Sequence, residues 1–212
     1  MKSVFIVGGD AQYERMFLER GWRVFKPFGY GKTDQIKDVD LIQFTGGEDV
    51  TPALYGERME HRTYSNLERD LFEIEIYCKA VELGLPMAGI CRGGQFLHVM
   101  NGGKLFQHID GHGIAGLHTA WEVEGFKKKT GKTVEVSSTH HQAMKVDYAL
   151  QNVIPVLIGE FQGEQGVTQF LEACFHTKTK CFCYQPHPEF NSVGIEACRD
   201  YYFEQVEHLL KM

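Results

Sequence analysis

A short apolar run, Met87-Ala88-Gly89-Ile90, ends in Cys91 and is followed at once by Arg92-Gly93-Gly94 and the apolar residues Phe96, Leu97 and Val99. The run has the length of a buried strand, and the spacing from about Gly93 to Met100 is helical until Asn101-Gly102-Gly103 stops it. Strand, cysteine, helix leaves no room for a loop. The G-x-C-x-G form of residues 89–93 is that of a nucleophile elbow, in which small residues permit a sharp strand-to-helix turn that lifts one side chain above the sheet.

The rest of the chain alternates in a compatible way. Ser3 to Gly9 is apolar and ends in glycines, Gln12 to Arg20 has helical spacing, Trp22 to Phe25 is a second run, and Asp38 to Gly47 is a third. Ser65-Asn66-Leu67-Glu68 has the form of a capping box, and Leu67, Leu71, Ile74, Cys78 and Val81 then recur as the expected core stripe of a helix ending at Gly84-Leu85-Pro86. Between Thr119 and Phe175 the runs 120–126, 132–138, 153–159 and 167–175 read as strands, and residues 192–210 close the chain as an amphipathic helix. The expectation is one domain over residues 1–212. Its fold class is α/β, with a three-layer, mostly parallel central sheet, helices on both faces and the elbow at the carboxyl edge of a central strand.

Composition excludes several classes of partner. A net charge of −6 does not suit a phosphate backbone, and Lys127 to Lys129, followed by Thr130-Gly131, reads as a solvated hairpin tip. No apolar run approaches the length of a membrane span, so no membrane and no nucleic acid are expected, and a cytoplasmic location is. The cysteines at 78, 91, 174, 181, 183 and 198 lack a secreted framework spacing and read as reduced thiols. Cys78 and Cys198 fit apolar helix stripes, Cys174 and Cys181 fit strands, and Cys181-Phe182-Cys183 matches none of the usual zinc spacings. His98 falls on the elbow helix, and His108, His112 and His118 fall on Gly-rich loops, where packed or solvated histidines are commoner than ligands.

Cys91 is different. The helix start beneath it supplies unpaired N–H groups and a positive dipole end, which favour thiolate and can cradle an oxyanion. The candidate base is His187, in Tyr184-Gln185-Pro186-His187-Pro188-Glu189-Phe190. Two prolines force an extended chain there, so residues two apart face the same way and Glu189 can orient the His187 ring. Taken alone, a core cysteine and a capped turn with exposed His and Glu would fit the same residues.

Residues Gly89 to Gln95 and His187-Pro188-Glu189, with residues 44–57 and 137–142 between the expected elements, resemble the class I glutamine amidotransferases, with their flavodoxin-like fold. The nearest likeness is to the branch containing gamma-glutamyl-gamma-aminobutyrate hydrolase and related peptidases. The pattern T-G-G-x-D-V-x-P-x-x-Y is met by Thr45, Gly46, Gly47, Asp49, Val50, Pro52 and Tyr55, and the following helix opens with Arg69-Asp70. Arg92 after the cysteine also fits this branch. The resemblance implies a catalytic triad of Cys91, His187 and Glu189, an oxyanion hole formed by the Gly47 and Arg92 amides, and a glutamyl group lying close to Gly46, Gln95 and His140-His141-Gln142. It implies hydrolysis of a gamma-glutamyl amide by way of a thioester, with no metal or organic cofactor. Asp49 and Asp70 are expected to be loop and helix-surface structure. Gly94 and Pro186 stand where bulkier residues are usual, which predicts a wide leaving-group side. Two other functions fit the sequence: a glutaminase subunit that passes ammonia to a separate synthetase or transferase, and a silent or redox-sensing relative, against which the intact His187-Pro188-Glu189 argues.

Overall fold

The computed structural model describes residues 1–27, 34–113, 116–126, 128–163 and 166–212. In chain order the strands are β1 (Ser3–Val7), β2 (Arg23–Phe25), β3 (Leu41–Phe44), β4 (Met87–Ile90), β5 (Leu105–Phe106) and β6 (Leu117–Glu124). They continue with β7 (Lys128–Ser137), β8 (Ala143–Lys145), β9 (Val153–Gly163), β10 (Gly166–His176) and β11 (Cys181–Tyr184). The helices are α1 (Ala11–Leu18), α2 (Leu67–Leu83), α3 (Arg92–Met100) and α4 (Glu196–Leu209). All strands join one sheet of order β2-β1-β3-β4-β11-β10-β9-β6-β7, with β8 on β10 and β5 on β8. The pairs from β2 to β11 are parallel. From β11 outward the sheet continues antiparallel.

Strand residues alternate between two helical layers, as the two-residue period of a strand requires. Phe5, Val7, Ile42, Phe44 and Met87 pack with Ile76 of α2 and Phe96 and Leu97 of α3. Val4, Ile6, Leu41, Ala88 and Ile90 pack with Met16 and Phe17 of α1 and Tyr202 and Val206 of α4. Both faces of β1, β3 and β4 are therefore covered, which is why these strands read as nearly continuous apolar runs, with Ser3 and Gln43 as the polar exceptions. The expected α/β class, with its three layers and elbow, is the fold observed.

Three local expectations are corrected. The cap of α2 is Asn66, whose side chain accepts from the Arg69 N–H at 3.1 Å, while Ser65 pairs with Asp49 in an isolated bridge. Of the expected core stripe of α2, Ile74 packs against the core, but Leu67, Leu71, Cys78 and Val81 are exposed. Its buried side holds Asp70, Phe72, Glu73, Ile76, Tyr77 and Ala80, because the two carboxylates find an ionic partner inside and turn that face inward. The β6–β7 pairing begins at Glu124 and Lys128, so Thr130-Gly131 lies within β7 rather than at the tip; Lys127 lies outside the described residues.

Candidate active site

The elbow is built by close backbone approach. A Cβ on Gly89 would lie 2.3 Å from the Gly93 carbonyl, and one on Gly93 would lie 2.4 Å from the Phe44 carbonyl oxygen, so neither position tolerates a side chain. Between them Cys91 holds φ 51° and ψ −113°, a conformation that costs a non-glycine residue of order 1–3 kcal/mol and that the packed strand and helix enforce. The Cys91 N–H donates to the Tyr184 carbonyl at 2.7 Å, which ties the elbow to β11.

The residues just beyond β11 complete the arrangement. His187 Nδ1 and Glu189 Oε1 are 2.5 Å apart, both residues are buried, and the imidazole stacks on Phe190 at 4.5 Å with its plane tilted by only 6°. The backbone N–H of His187 donates to Ser137 Oγ at 2.6 Å. Burial opposes a charge on His187, but the negative charge and hydrogen bond of Cys91, reinforced by Glu189, outweigh it and push the imidazole up to about 10. Cys91, His187 and Glu189 thus come together as the sequence predicted. A Cβ on Gly46 would be 3.0 Å from the His187 ring and 3.7 Å from Cys91 Cβ, so Gly46 leaves the space over both reactive groups open.

Sequence reasoning missed Tyr13 of α1. Its hydroxyl accepts from the Gly46 N–H at 3.0 Å, and burial, followed by the charges of Glu189 and Cys91, raises its pKa and keeps the phenol neutral. A lone tyrosine on an amphipathic helix carries no signal of this role. Asp70 was misread as helix surface. It is fully buried and, with Glu73, pairs with the buried Arg92 guanidinium. Glu73 also accepts from Arg69 Nε at 2.8 Å, and Arg69 Nη2 in turn donates to the Thr45 and Gly46 carbonyls at 3.0 and 2.9 Å. One carboxylate therefore links the Gly46-Gly47 loop to Arg92, the two segments whose amides were expected to hold an oxyanion. The Arg92 N–H lies in the first turn of α3, where no intrahelical acceptor exists. Gly47 has φ 137°, and a Cβ there would collide with Arg69 Nη1 at 2.2 Å.

The wall residues separate. Gln95 Nε2 donates to the Gln142 carbonyl and to Gln185 Oε1, both at 3.0 Å, and Gln185 Nε2 lies 3.6 Å from Cys91 Sγ, so Gln95 and Gln142 are joined to Cys91 through Gln185. His140 turns elsewhere, its ring 5.4 Å from that of His112. His141 Nε2 meets Asp49 Oδ1 at 3.1 Å, and Asp49 also accepts from the Tyr64 N–H, so Asp49 clamps the loop as expected. Gly94 does not widen the pocket: a Cβ there would face the backbone of Tyr184 at 2.9 Å, toward the sheet. His118 lies on β6 and not on a loop.

The profile of the Peptidase C26 family matches residues 30–189. Protein NtpR of Enterococcus hirae is 29% identical over 170 residues, covering 73% of this chain and 68% of NtpR. The glutamine amidotransferase-like protein YvdE of Lactococcus lactis is 34% identical over 124 residues, covering 56% of this chain and 48% of YvdE, so the match spans about half of that relative. Among solved structures, a glutamine amidotransferase from Thermotoga maritima superposes with a TM-score of 0.62 at 16% identity over 98% of this chain and 84% of that one. With most of its length inside the family profile and a shared sheet architecture, the chain belongs to the Peptidase C26 family, a class I glutamine amidotransferase-like family of amidohydrolase type.

Proposed function

We propose that this chain hydrolyses gamma-glutamyl amides through Cys91, His187 and Glu189. The observation that carries the reading is a buried Glu189–His187 pair beside a cysteine held at φ 51° on a nucleophile elbow. Cys91 Sγ attacks the side-chain carbonyl carbon, and the oxyanion that forms takes hydrogen bonds from the Gly47 and Arg92 amides. His187 gives its proton to the departing amine as the C–N bond breaks and a thioester remains. It then accepts a proton from water, whose oxygen attacks the thioester, and glutamate leaves as the thiolate returns. Glu189 keeps the ring oriented and stabilises the imidazolium. Gly46, Gln95 and Gln142 lie on the side of the glutamyl group. The turned ring of His140 and the Asp49-bound ring of His141 support at most a role through their backbone.

Room for a leaving amine is sought elsewhere than at Gly94. A groove of about 280 Å³ lined by Leu117, Ser137, Thr139, Phe190 and Val193 begins at the two residues that hold His187. It supports amine conjugates of the gamma-carboxyl group as substrates, since apolar leaving-group surface buried beside the general acid adds transition-state binding at about 25 cal/mol per Å². A second reading, a subunit that donates ammonia to a separate synthetase, is favoured by the exposed Leu67, Leu71, Cys78 and Val81 stripe of α2, which offers such a partner an apolar face. The deciding measurement is kcat/KM of the purified chain without any partner. Gamma-glutamyl conjugates of three- or four-carbon amines should exceed glutamine by about ten- to two-hundred-fold. A preference for glutamine, or turnover that begins only when a second protein is added, would hand the case to the ammonia-donating subunit.

A further inference from the structure

Behind the 138–142 segment, three side chains from separate parts of the chain converge: His112 from a loop, His118 from β6 and Glu172 from β10. Each offers a ligand atom within 4.8 Å of the others. The Glu172 carboxylate is fully buried, its Oε1 lies 2.5 Å from His118 Nε2, and its Oε2 has no partner. His118 Nδ1 is likewise buried and unpartnered. His112 directs Nδ1 at the Asp110 carbonyl, 3.3 Å away, which leaves its Nε2 with a lone pair. His140 beside it donates from Nδ1 to the Gln142 carbonyl at 2.8 Å, so its buried, unpartnered Nε2 is a lone pair as well. The unpartnered Glu172 Oε2 is costly to bury unless a further group satisfies it.

The backbone makes room for this cluster. β9 lies between β10 and β6, and a Cβ on Gly159 would lie 2.7 Å from Glu172 Oε1 and 2.4 Å from the Phe170 ring, in the place Glu172 now occupies. The missing side chain lets Glu172 and His118 meet across the intervening strand.

We propose that His112, His118 and Glu172 form a site for a divalent zinc-type cation, with the fourth position left to water. Two imidazole nitrogens and one carboxylate oxygen suit zinc at bond lengths of about 2.0–2.1 Å and do not suit magnesium or calcium, which take oxygen ligands. On binding, the cation replaces the proton between His118 Nε2 and Glu172 Oε1. It would join the 110–113 loop to β6 and β10. The His112 carbonyl accepts from Ser138 Oγ at 2.9 Å and from the His140 N–H at 3.0 Å, so the cation would also stiffen the segment that carries Gln142 to Gln95.

A second cluster sets the control. His98, Cys174 and His176 are also close together, but the two rings already bond each other, Nδ1 to Nε2, at 3.1 Å. The test uses the full chain carrying Cys91→Ala, to remove the reactive thiol as a ligand, stripped with a chelator and titrated with Zn²⁺ by calorimetry and with Co²⁺ by visible absorption. One equivalent of Zn²⁺ should bind and raise the melting temperature, and magnesium should not. His118→Gln and Glu172→Gln should each weaken Zn²⁺ at least tenfold, while Cys174→Ser should not, and the Co²⁺ spectrum should lack thiolate charge-transfer absorption. If Glu172→Gln fails to fold, His118→Gln carries the test, since that ring is partly exposed. Absence of stoichiometric binding, survival of full affinity in His118→Gln, or loss confined to Cys174→Ser would overturn the site.

Discussion

At the scale of single residues, the charge state of His187 is the most direct readout of the site. Its folded pKa, about 10, lies above the ordinary 6.5, so the stability contributed by this shift is full below about 6.5 and is lost as pH rises through 10. The imidazole signal of His187 should therefore titrate near 10 by NMR, and in Cys91→Ser the midpoint should fall because the charge and hydrogen bond of Cys91 that outweigh burial are gone. A wild-type midpoint near 6.5 would refute the pairing. The buried ions make a second prediction. Asp70→Asn removes one partner of the buried Arg92 and should cost about 3–5 kcal/mol in denaturant unfolding, whereas Glu124→Gln, which loses only an exposed pair with Lys128, should cost less than about 1 kcal/mol. Equal losses would mean that the Arg92 network is not what orders that face. Cys91 and His187 were legible in the sequence because local rules govern them: glycines about a strand–helix junction and prolines about a histidine. Asp70, Glu73 and Tyr13 were not, since a charge buried against a distant arginine reads locally as a solvated one.

At the scale of elements, the elbow and α2 teach opposite lessons. The elbow is specified by volume. Gly93→Ala should destabilise the chain by more than about 2 kcal/mol and remove turnover, because its Cβ would meet rigid backbone at 2.4 Å. Gly113→Ala, at an ordinary φ with open space around the added carbon, should leave the melting temperature nearly unchanged. Comparable melting temperatures for the two variants would show that the strand and helix can separate at no great cost. In α2 the apolar period pointed at Leu67 and Leu71, which are each 54% exposed, while the buried face alternates carboxylates with Ile76 and Ala80. Period analysis weighs apolar residues only, so a helix anchored by ions is assigned to the wrong side. The cluster of His112, His118 and Glu172 escaped for a related reason: its members lie far apart in sequence and only the strand order of the sheet assembles them.

At the scale of the whole molecule, the α/β class followed from the alternation of runs, but the position of β11 did not. That strand, nearly last in the chain, sits between β4 and β10, where it joins the parallel half of the sheet to the antiparallel half. A chain ending at Lys180 lacks this strand and α4, and it should melt without a cooperative transition while Cys91 reacts with alkylating agents no faster than the other thiols. A cooperative melt of that fragment would show that β11 is peripheral. The same placement has a bearing on biosynthesis. The ribosome releases Cys91 long before His187 and Glu189, and the strand that leads to those two residues takes its place in the middle of the sheet, between β4 and β10, rather than at an edge. On the proposed function, the nascent chain stays chemically quiet until β11 closes between β4 and β10 and brings His187 and Glu189 to Cys91.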